Sequence, residues 1–264
     1  MKKILIINIL LFLLIGCFNP PDITPPQFIP KSPPDSVKET GIDAHHENAI
    51  YLEWEEPATA ELEGILSYYV YRGKFEDGEY KFKYLDEVER NASLIYDSDK
   101  YIDYDVNLDS TYYYYLKSYN DFTVSSITSD TVFYKLAHKV ILQEPQGDIS
   151  ESSPRFYFAY SRTINNRINY FYFRLYQLDG QQYKIKYFVK THHFDLSQSK
   201  FYVYLNNTNP HATVLIDSIA VNESGNKYLE NGTYRWRIDA VSGELGGAPE
   251  TEGSESDWMY FTVK

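Results

Sequence analysis

One cysteine in 264 residues, Cys17, rules out an intramolecular disulfide, so whatever holds this chain together is packing and hydrogen bonding. Clustered Lys and Arg are missing too. The 25 basic residues are scattered among 37 acidic ones, for a net charge of -12, and an acidic chain without a basic run is a poor partner for nucleic acid or anionic lipid. No G-x-S-x-G elbow, Walker loop, G-x-G-x-x-G or H-E-x-x-H occurs, and the one thiol lies beside the amino terminus. No catalytic residue is nominated, no cofactor or metal is expected, and the chain reads as a non-enzyme. No segment keeps a helical period. What is plentiful is tyrosine, 27 residues beside 15 Phe, which suits pleated, half-buried surfaces and points to an all-β fold.

The amino terminus carries an address. Met1-Lys2-Lys3 is cationic, and Ile4 to Ile15 is apolar except for Asn8, the length of a signal-peptide core and short of a membrane span. Leu14-Ile15-Gly16-Cys17 then resembles the lipobox of bacterial lipoproteins. That resemblance implies cleavage between Gly16 and Cys17, with residues 1–16 as signal peptide and an acylated Cys17 as the membrane anchor. Several acyl chains on one residue hold a protein stably where a single chain does not. Phe18, where an Asp would imply retention in the inner membrane, implies the outer membrane by the same resemblance. Residues 17–34 contain seven of the twelve prolines and read as an extended stalk of roughly 50 Å or a linker of no set length.

Beyond it the chain repeats. Thr111-Tyr112-Tyr113-Tyr114-Tyr115-Leu116-Lys117-Ser118-Tyr119 aligns without gaps on Thr233-Tyr234-Arg235-Trp236-Arg237-Ile238-Asp239-Ala240-Val241. At period two, Tyr112, Tyr114, Leu116 and Ser118 share one face, as do Tyr234, Trp236, Ile238 and Ala240. With Val106 six residues ahead of Tyr112 and Asn120 closing the strand, the pattern resembles the F strand of fibronectin type III domains. The resemblance implies two tandem Ig-like sandwiches over residues 35–136 and 139–264, the second divergent and elongated; a single larger sandwich or barrel is the competing architecture. It makes Tyr112 and Tyr234 tyrosine corners, whose hydroxyls bond back to the preceding connection. It places Trp54, in AIYLEWEEP, in the first core. Phe158 stands for that Trp in the second, and Trp236 joins it. SYYVYRG, residues 67–73, resembles the C strand. Residues 167–178, 182–192, 200–206 and 212–221 also read as strands.

Four features suggest contacts. Asp97, Asp99, Asp103 and Asp105 are dense enough in oxygen for calcium, but lack the glycine and terminal glutamate of an EF-hand loop, which favours a turn and an E strand. His45/His46 and His192/His193 are adjacent pairs that would point to opposite faces of a strand. The Gly-rich acidic segment 242–256 is a candidate F–G contact loop or a solvated hairpin. Aromatics of the off-core parity, Tyr113, Tyr115 and Tyr119, and above all Tyr170 and Tyr172, could stack on sugar rings, dock a protein, or pack against the neighbouring domain. The expected protein is a lipid-anchored envelope protein that binds an unidentified protein or polysaccharide or acts as a spacer. An accessory glycan-binding subunit of an outer-membrane uptake machine is the alternative.

Overall fold

The computed structural model describes residues 23–29, 48–90, 99–121, 125–161, 168, 170–192, 200–206, 212–242 and 251–264, and every regular element among them is a strand. Among the described residues, seven strands build the first sandwich: β1 (Gln27–Phe28), β2 (Ile50–Glu55), β3 (Ile65–Glu76), β4 (Glu79–Glu89), β5 (Lys100–Asp103), β6 (Thr111–Asn120) and β7 (Val132–Leu136). They form two layers, β1-β2-β5 and β7-β6-β3-β4. This is an A-B-E layer against a G-F-C-C′ layer, the arrangement that the F-strand resemblance implies. Alternation decides the facing. Ile50, Leu52 and Trp54 of β2 point inward onto Tyr68, Val70, Tyr112, Tyr114 and Leu116, all buried. The Trp54 and Tyr68 rings meet edge-on at 5.8 Å. The β3–β4 hairpin turns at Asp77-Gly78, both with positive φ, as a two-residue turn matched to strand twist requires.

The second sandwich has β8 (Ile141–Glu144), β9 (Gly147–Ile149), β10 (Arg155–Ala159), β11 (Tyr170–Asp179), β12 (Gln182–His192), β13 (Lys200–Tyr204), β14 (Ala212–Asp217), β15 (Ala220–Val221), β16 (Lys227–Tyr228), β17 (Gly232–Val241), β18 (Glu252–Glu255) and β19 (Met259–Val263). One layer is β8-β10-β13; in the other, β14-β12-β11 is followed by β17, against which β18 and β19 pair in succession. The elongation is β14, an extra edge strand on β12, plus the small β15–β16 hairpin. The core is separate from the first and is built on Phe156, Phe158, Phe173, Trp236 and Phe261.

The duplication runs further than the F strands. Leu116 N donates to Ser129 Oγ at 2.9 Å while Ser129 N donates back to the Leu116 carbonyl. At the equivalent place Ile238 N donates to Ser256 Oγ at 3.0 Å, and Ser256 N to the Ile238 carbonyl. Each serine is followed by an aspartate whose carbonyl accepts the hydroxyl. A serine thus stands in for a ladder residue where the G strand begins, in SDTVFYKL and again in SDWMYFTV.

The two outer layers join. β18 pairs parallel with β7 (Glu252↔Lys135, Gly253↔Leu136), making one eleven-stranded sheet across both sandwiches. Lys135 N donates to the Thr251 carbonyl and Ala137 N to the Gly253 carbonyl, each at 2.8 Å. Lys135 Nζ meets Glu252 Oε1 at 3.1 Å. Gly253 is required here, because a Cβ would lie 2.6 Å from the Ala240 carbonyl oxygen. This corrects the loop expected over 242–256: residues 252–255 are a buried strand, since pairing on both sides satisfies their backbone and covers them.

A second correction concerns the stalk. Residues 23–29 are folded onto the first sandwich, so the Pro-rich segment 17–34 is not a free stalk throughout, and this sandwich starts ahead of residue 35. Gln27 and Phe28 pair with Glu55 and Trp54, and Ile29 N donates to the Glu53 carbonyl. An edge strand paired on one side tolerates neighbouring prolines, because half its N–H groups need no partner in the ladder.

Candidate functional site

Strand parity leaves the odd-numbered residues of β3 and β6 on the outer face of the first sandwich. Tyr69, Tyr71 and Phe75 of β3 stand beside Tyr113, Tyr115 and Tyr119 of β6, Tyr80, Phe82 and Tyr84 of β4, and Phe133 of β7. Directly opposed Tyr71 and Tyr115 stack at 4.6 Å with planes 16° apart, and diagonal Tyr69 and Tyr119 stack at 5.0 Å and 18°. Tyr84 sets its edge against both Tyr69 (5.6 Å) and Tyr71 (5.9 Å). Tyr80 packs on Tyr113 at 4.8 Å and Phe75 at 4.9 Å. Such pairs add about 0.5–1.5 kcal/mol each beyond their buried area.

Gly73 organises the centre. Phe82 lies across it, with ring carbons 2.7–3.0 Å from where a Cβ would be, and from there reaches Tyr115 at 4.7 Å. A glycine covered by a cross-strand ring loses none of its pairing. The result is a contiguous aromatic face with Phe75, Tyr80, Tyr84 and Phe133 exposed. Partial burial, then the Glu87 carboxylate, raises the phenol pKa values of Tyr69 and Tyr84. Burial does the same for Tyr113 and Tyr115, assisted by Tyr80 and Tyr71 respectively.

Tyr170 and Tyr172, expected on such a face, are 6 % and 0 % exposed. They lie on the outer face of the second sheet, but packed with Phe188 and Val241 in a cluster of their own, under the Lys190 ammonium 4.0 Å from the Tyr170 ring. Beside them runs a buried ionic chain: Arg174 Nε to Asp239 Oδ2 at 2.7 Å, Arg237 Nε to Asp239 Oδ1 at 3.0 Å, and Arg237 Nη1 to Glu255 Oε2 at 2.9 Å. Burial works to lower the Arg174 pKa, and Asp239 more than reverses it. These aromatics are structural, and the exposed platform is in the other sandwich.

The remaining nominated residues have definite surroundings. Asn107 N donates to Tyr112 Oη at 3.0 Å, and Tyr234 Oη donates to the Glu230 carbonyl at 2.8 Å, the geometry of tyrosine corners. Trp54, Phe158 and Trp236 are fully buried, with Trp236 Nε1 donating to the Pro145 carbonyl at 3.0 Å. Asp103 and Asp105 face a guanidinium. Arg72 Nη1 meets both Asp103 carboxylate oxygens at 2.8 and 2.9 Å and the Asp105 carbonyl at 2.6 Å, while Nη2 meets Asp105 Oδ2 at 2.7 Å. Tyr114 Oη donates to Asp103 at 2.8 Å. These hydrogen bonds and charges raise the Arg72 pKa against burial, and Arg72 lowers that of Asp105. Carboxylates so engaged are not waiting for calcium, and no metal-holding group of His, Cys, Asp or Glu occurs among the described residues. A groove of about 400 Å³ beside this clamp is lined by Arg72, Lys74, Lys81 and Lys83 with Glu76 and Asp105. Gly16, Cys17, His45, His46, His193, Asp97 and residues 243–250 lie outside the described residues.

No family model matches the chain, and no curated protein matches it. Among solved structures it is similar to the crystal structure of chicken CNTN1 FN1-FN3 domains, at 13% identity and a TM-score of 0.33. The likeness covers 93% of this chain and 65% of that one, so the chain spans under two thirds of the structure it matches. The fold stands on the strand pairing itself: an all-β chain of two sandwiches, each with an A-B-E layer against a G-F-C layer.

The parity of Tyr113, Tyr115 and Tyr119 marked three of the ten platform residues from sequence. The β4 contribution escaped because EYKFKYLDEVE alternates Tyr and Phe with charges, which reads equally well as a solvated edge strand. The signal that would have found it is Asp77-Gly78, which folds β4 back beside β3.

Proposed function

We propose that this is a non-catalytic, lipid-anchored envelope protein that binds polysaccharide on the aromatic face of its first sandwich. Cys17 carries the acyl anchor in the outer membrane, and the second sandwich is a rigid extension. The observation that carries the reading is the ten-ring face itself. Seven of its members are tyrosines, which pair an apolar ring face for stacking on sugar C–H groups with a hydroxyl that can hydrogen-bond ring substituents. Their neutral phenols need no countercharge, which suits an uncharged ligand on an acidic protein. Protein-docking surfaces, by contrast, are enriched in Met and Arg as well as aromatics, and this face has neither.

The test is retention of the protein on a panel of insoluble polysaccharides, followed by titration with soluble oligosaccharides. Wild type should be retained on at least one. Tyr80→Ala and Tyr84→Ala, at exposed rings, should weaken binding without unfolding the protein. Absence of retention across the panel, or unchanged binding by both variants, would overturn the reading.

A further inference from the structure

The chain leaves the first sandwich for Cys17 at one defined end. Thr24 is fixed there: its N and Oγ1 donate to the two Glu63 carboxylate oxygens, each at 2.7 Å, and its carbonyl accepts from Ser118 Oγ at 2.7 Å. Ile23 beside it is buried. Antiparallel pairing of β1 with β2 puts residue 23 beyond Glu55, at the end that carries the β2–β3 and β6–β7 connections. Five residues lie between Cys17 and Ile23, six Cα–Cα steps with a reach of roughly 20 Å even when fully extended. If Cys17 is in the bilayer, this end of the sandwich is next to it.

The two most exposed large apolar side chains among the described residues are at this same end. Leu62, 89 % exposed, precedes the Glu63 that holds Thr24. Ile127, 77 % exposed, follows the Ser126 that bonds Ser118 in both directions. Leu66, at the start of β3, is exposed between them in sequence. Isolated exposed apolar residues are ordinary. Two on the β2–β3 and β6–β7 connections, flanking the point where an acylated chain departs, have a common partner within reach. Their neighbours Glu61 and Asp130 are acidic, so charge attraction to anionic headgroups is not what holds them.

We infer that Leu62 and Ile127 seat the first sandwich directly on the bilayer, dipping into the interface of zwitterionic lipid and fixing the protein's orientation. This rests on the lipid-anchor reading of Cys17. Apolar groups of surface-bound proteins enter to about 5–10 Å, the depth of the headgroup–acyl boundary. The aromatic face then stands upright, along the membrane normal, and the second sandwich is the distal one.

The test uses the full-length protein extracted from membranes and reconstituted into vesicles of phosphatidylethanolamine and phosphatidylcholine. Intact mass first reports whether Cys17 is acylated. Leu62→Cys, Ile127→Cys and, as a distal control, Ser224→Cys are then labelled with an environment-sensitive dye; an acylated Cys17 has no thiol to compete. Blue-shifted emission at 62 and 127, quenched by lipids carrying a nitroxide near the headgroup, with water-like emission at 224, is the expected result. Water-like emission at 62 and 127 in an acylated protein overturns the seating and leaves the anchor standing. An unmodified Cys17 overturns both.

Discussion

Removing the Asp103 carboxylate tests the physical core of the first sandwich. Arg72 on β3 and Asp103 on β5 come from opposite layers and are both buried, so their ion pair ties the two layers together from inside. In Asp103→Ala, Arg72 loses both bonds from Nη1 to that carboxylate and keeps only Asp105, whose side chain is exposed. Tyr114 Oη loses its acceptor as well. Breaking a buried pair from one side costs about 3–5 kcal/mol, and an orphaned buried hydroxyl about 1–3. The two overlap, and Asp105 compensates in part, so about 3–4 kcal/mol is expected. At a urea slope of about 2 kcal/mol per molar, the midpoint falls by roughly 1.5–2 M. Trp54 is the first sandwich's only tryptophan, so the fluorine resonance of a 5-fluorotryptophan-labelled sample isolates its transition from those of Trp236 and Trp258. The double variant Arg72→Met, Asp103→Leu should recover at least half of the loss, because apolar replacements of similar volume leave no charge stranded. A single-variant loss below about 1 kcal/mol would mean that Arg72 reaches water readily, and would refute the claim that the clamp is desolvated.

Gly253→Val should force β18 off β17 and open the joint, seen as faster hydrogen exchange at the Lys135 and Ala137 amides while the Leu116 amide stays protected. Tyr234→Phe should cost about 1 kcal/mol through loss of the bond to the Glu230 carbonyl, measured by thermal unfolding. Tyr172→Ala should destabilise by about 3–5 kcal/mol and leave polysaccharide binding by the intact fold unchanged, since Tyr172 is a packed ring. Burial raises the phenols of Tyr187 and Tyr234 to about 12 from 10.0. Their neutral form therefore supports the fold fully below pH 10, and that support is lost as pH rises from 10 towards 12. Phenolate absorbance should show these two ionising only as the protein unfolds, and early, non-cooperative ionisation of all tyrosines would contradict their burial.

Period-two alternation in the F strands gave facing and core, because a buried face leaves its mark on every second residue, and the resemblance to fibronectin type III F strands gave both tyrosine corners. It said which residues share a face and not what covers that face. Tyr113 and Tyr172 have the same off-core parity; one stands on an open sheet and the other beneath Lys190 and against Phe188. Nor does local composition show long-range pairing. EGSE in a Gly-rich acidic segment looks like a loop until Lys135 and Leu136, far back in the chain, offer it an edge. Prolines concealed β1 in the same way, because a two-residue edge strand has almost no pattern of its own.

The joint between β7 and β18 also has a timetable. Lys135 and Glu252, which meet across it, are 117 residues apart. When the chain emerges amino terminus first at about 5–20 residues per second, the first sandwich has all seven of its strands while the strand that caps β7 is still roughly 6–23 s away. Through that interval β7 offers an unpaired edge ready for any strand that passes, and a neighbouring copy at the same stage offers an identical one. β18 thus ends a period of vulnerability for the first half of the chain, and Gly253→Val, which keeps β18 from the joint and leaves the residues of both cores in place, should yield a fold that self-associates as it is made.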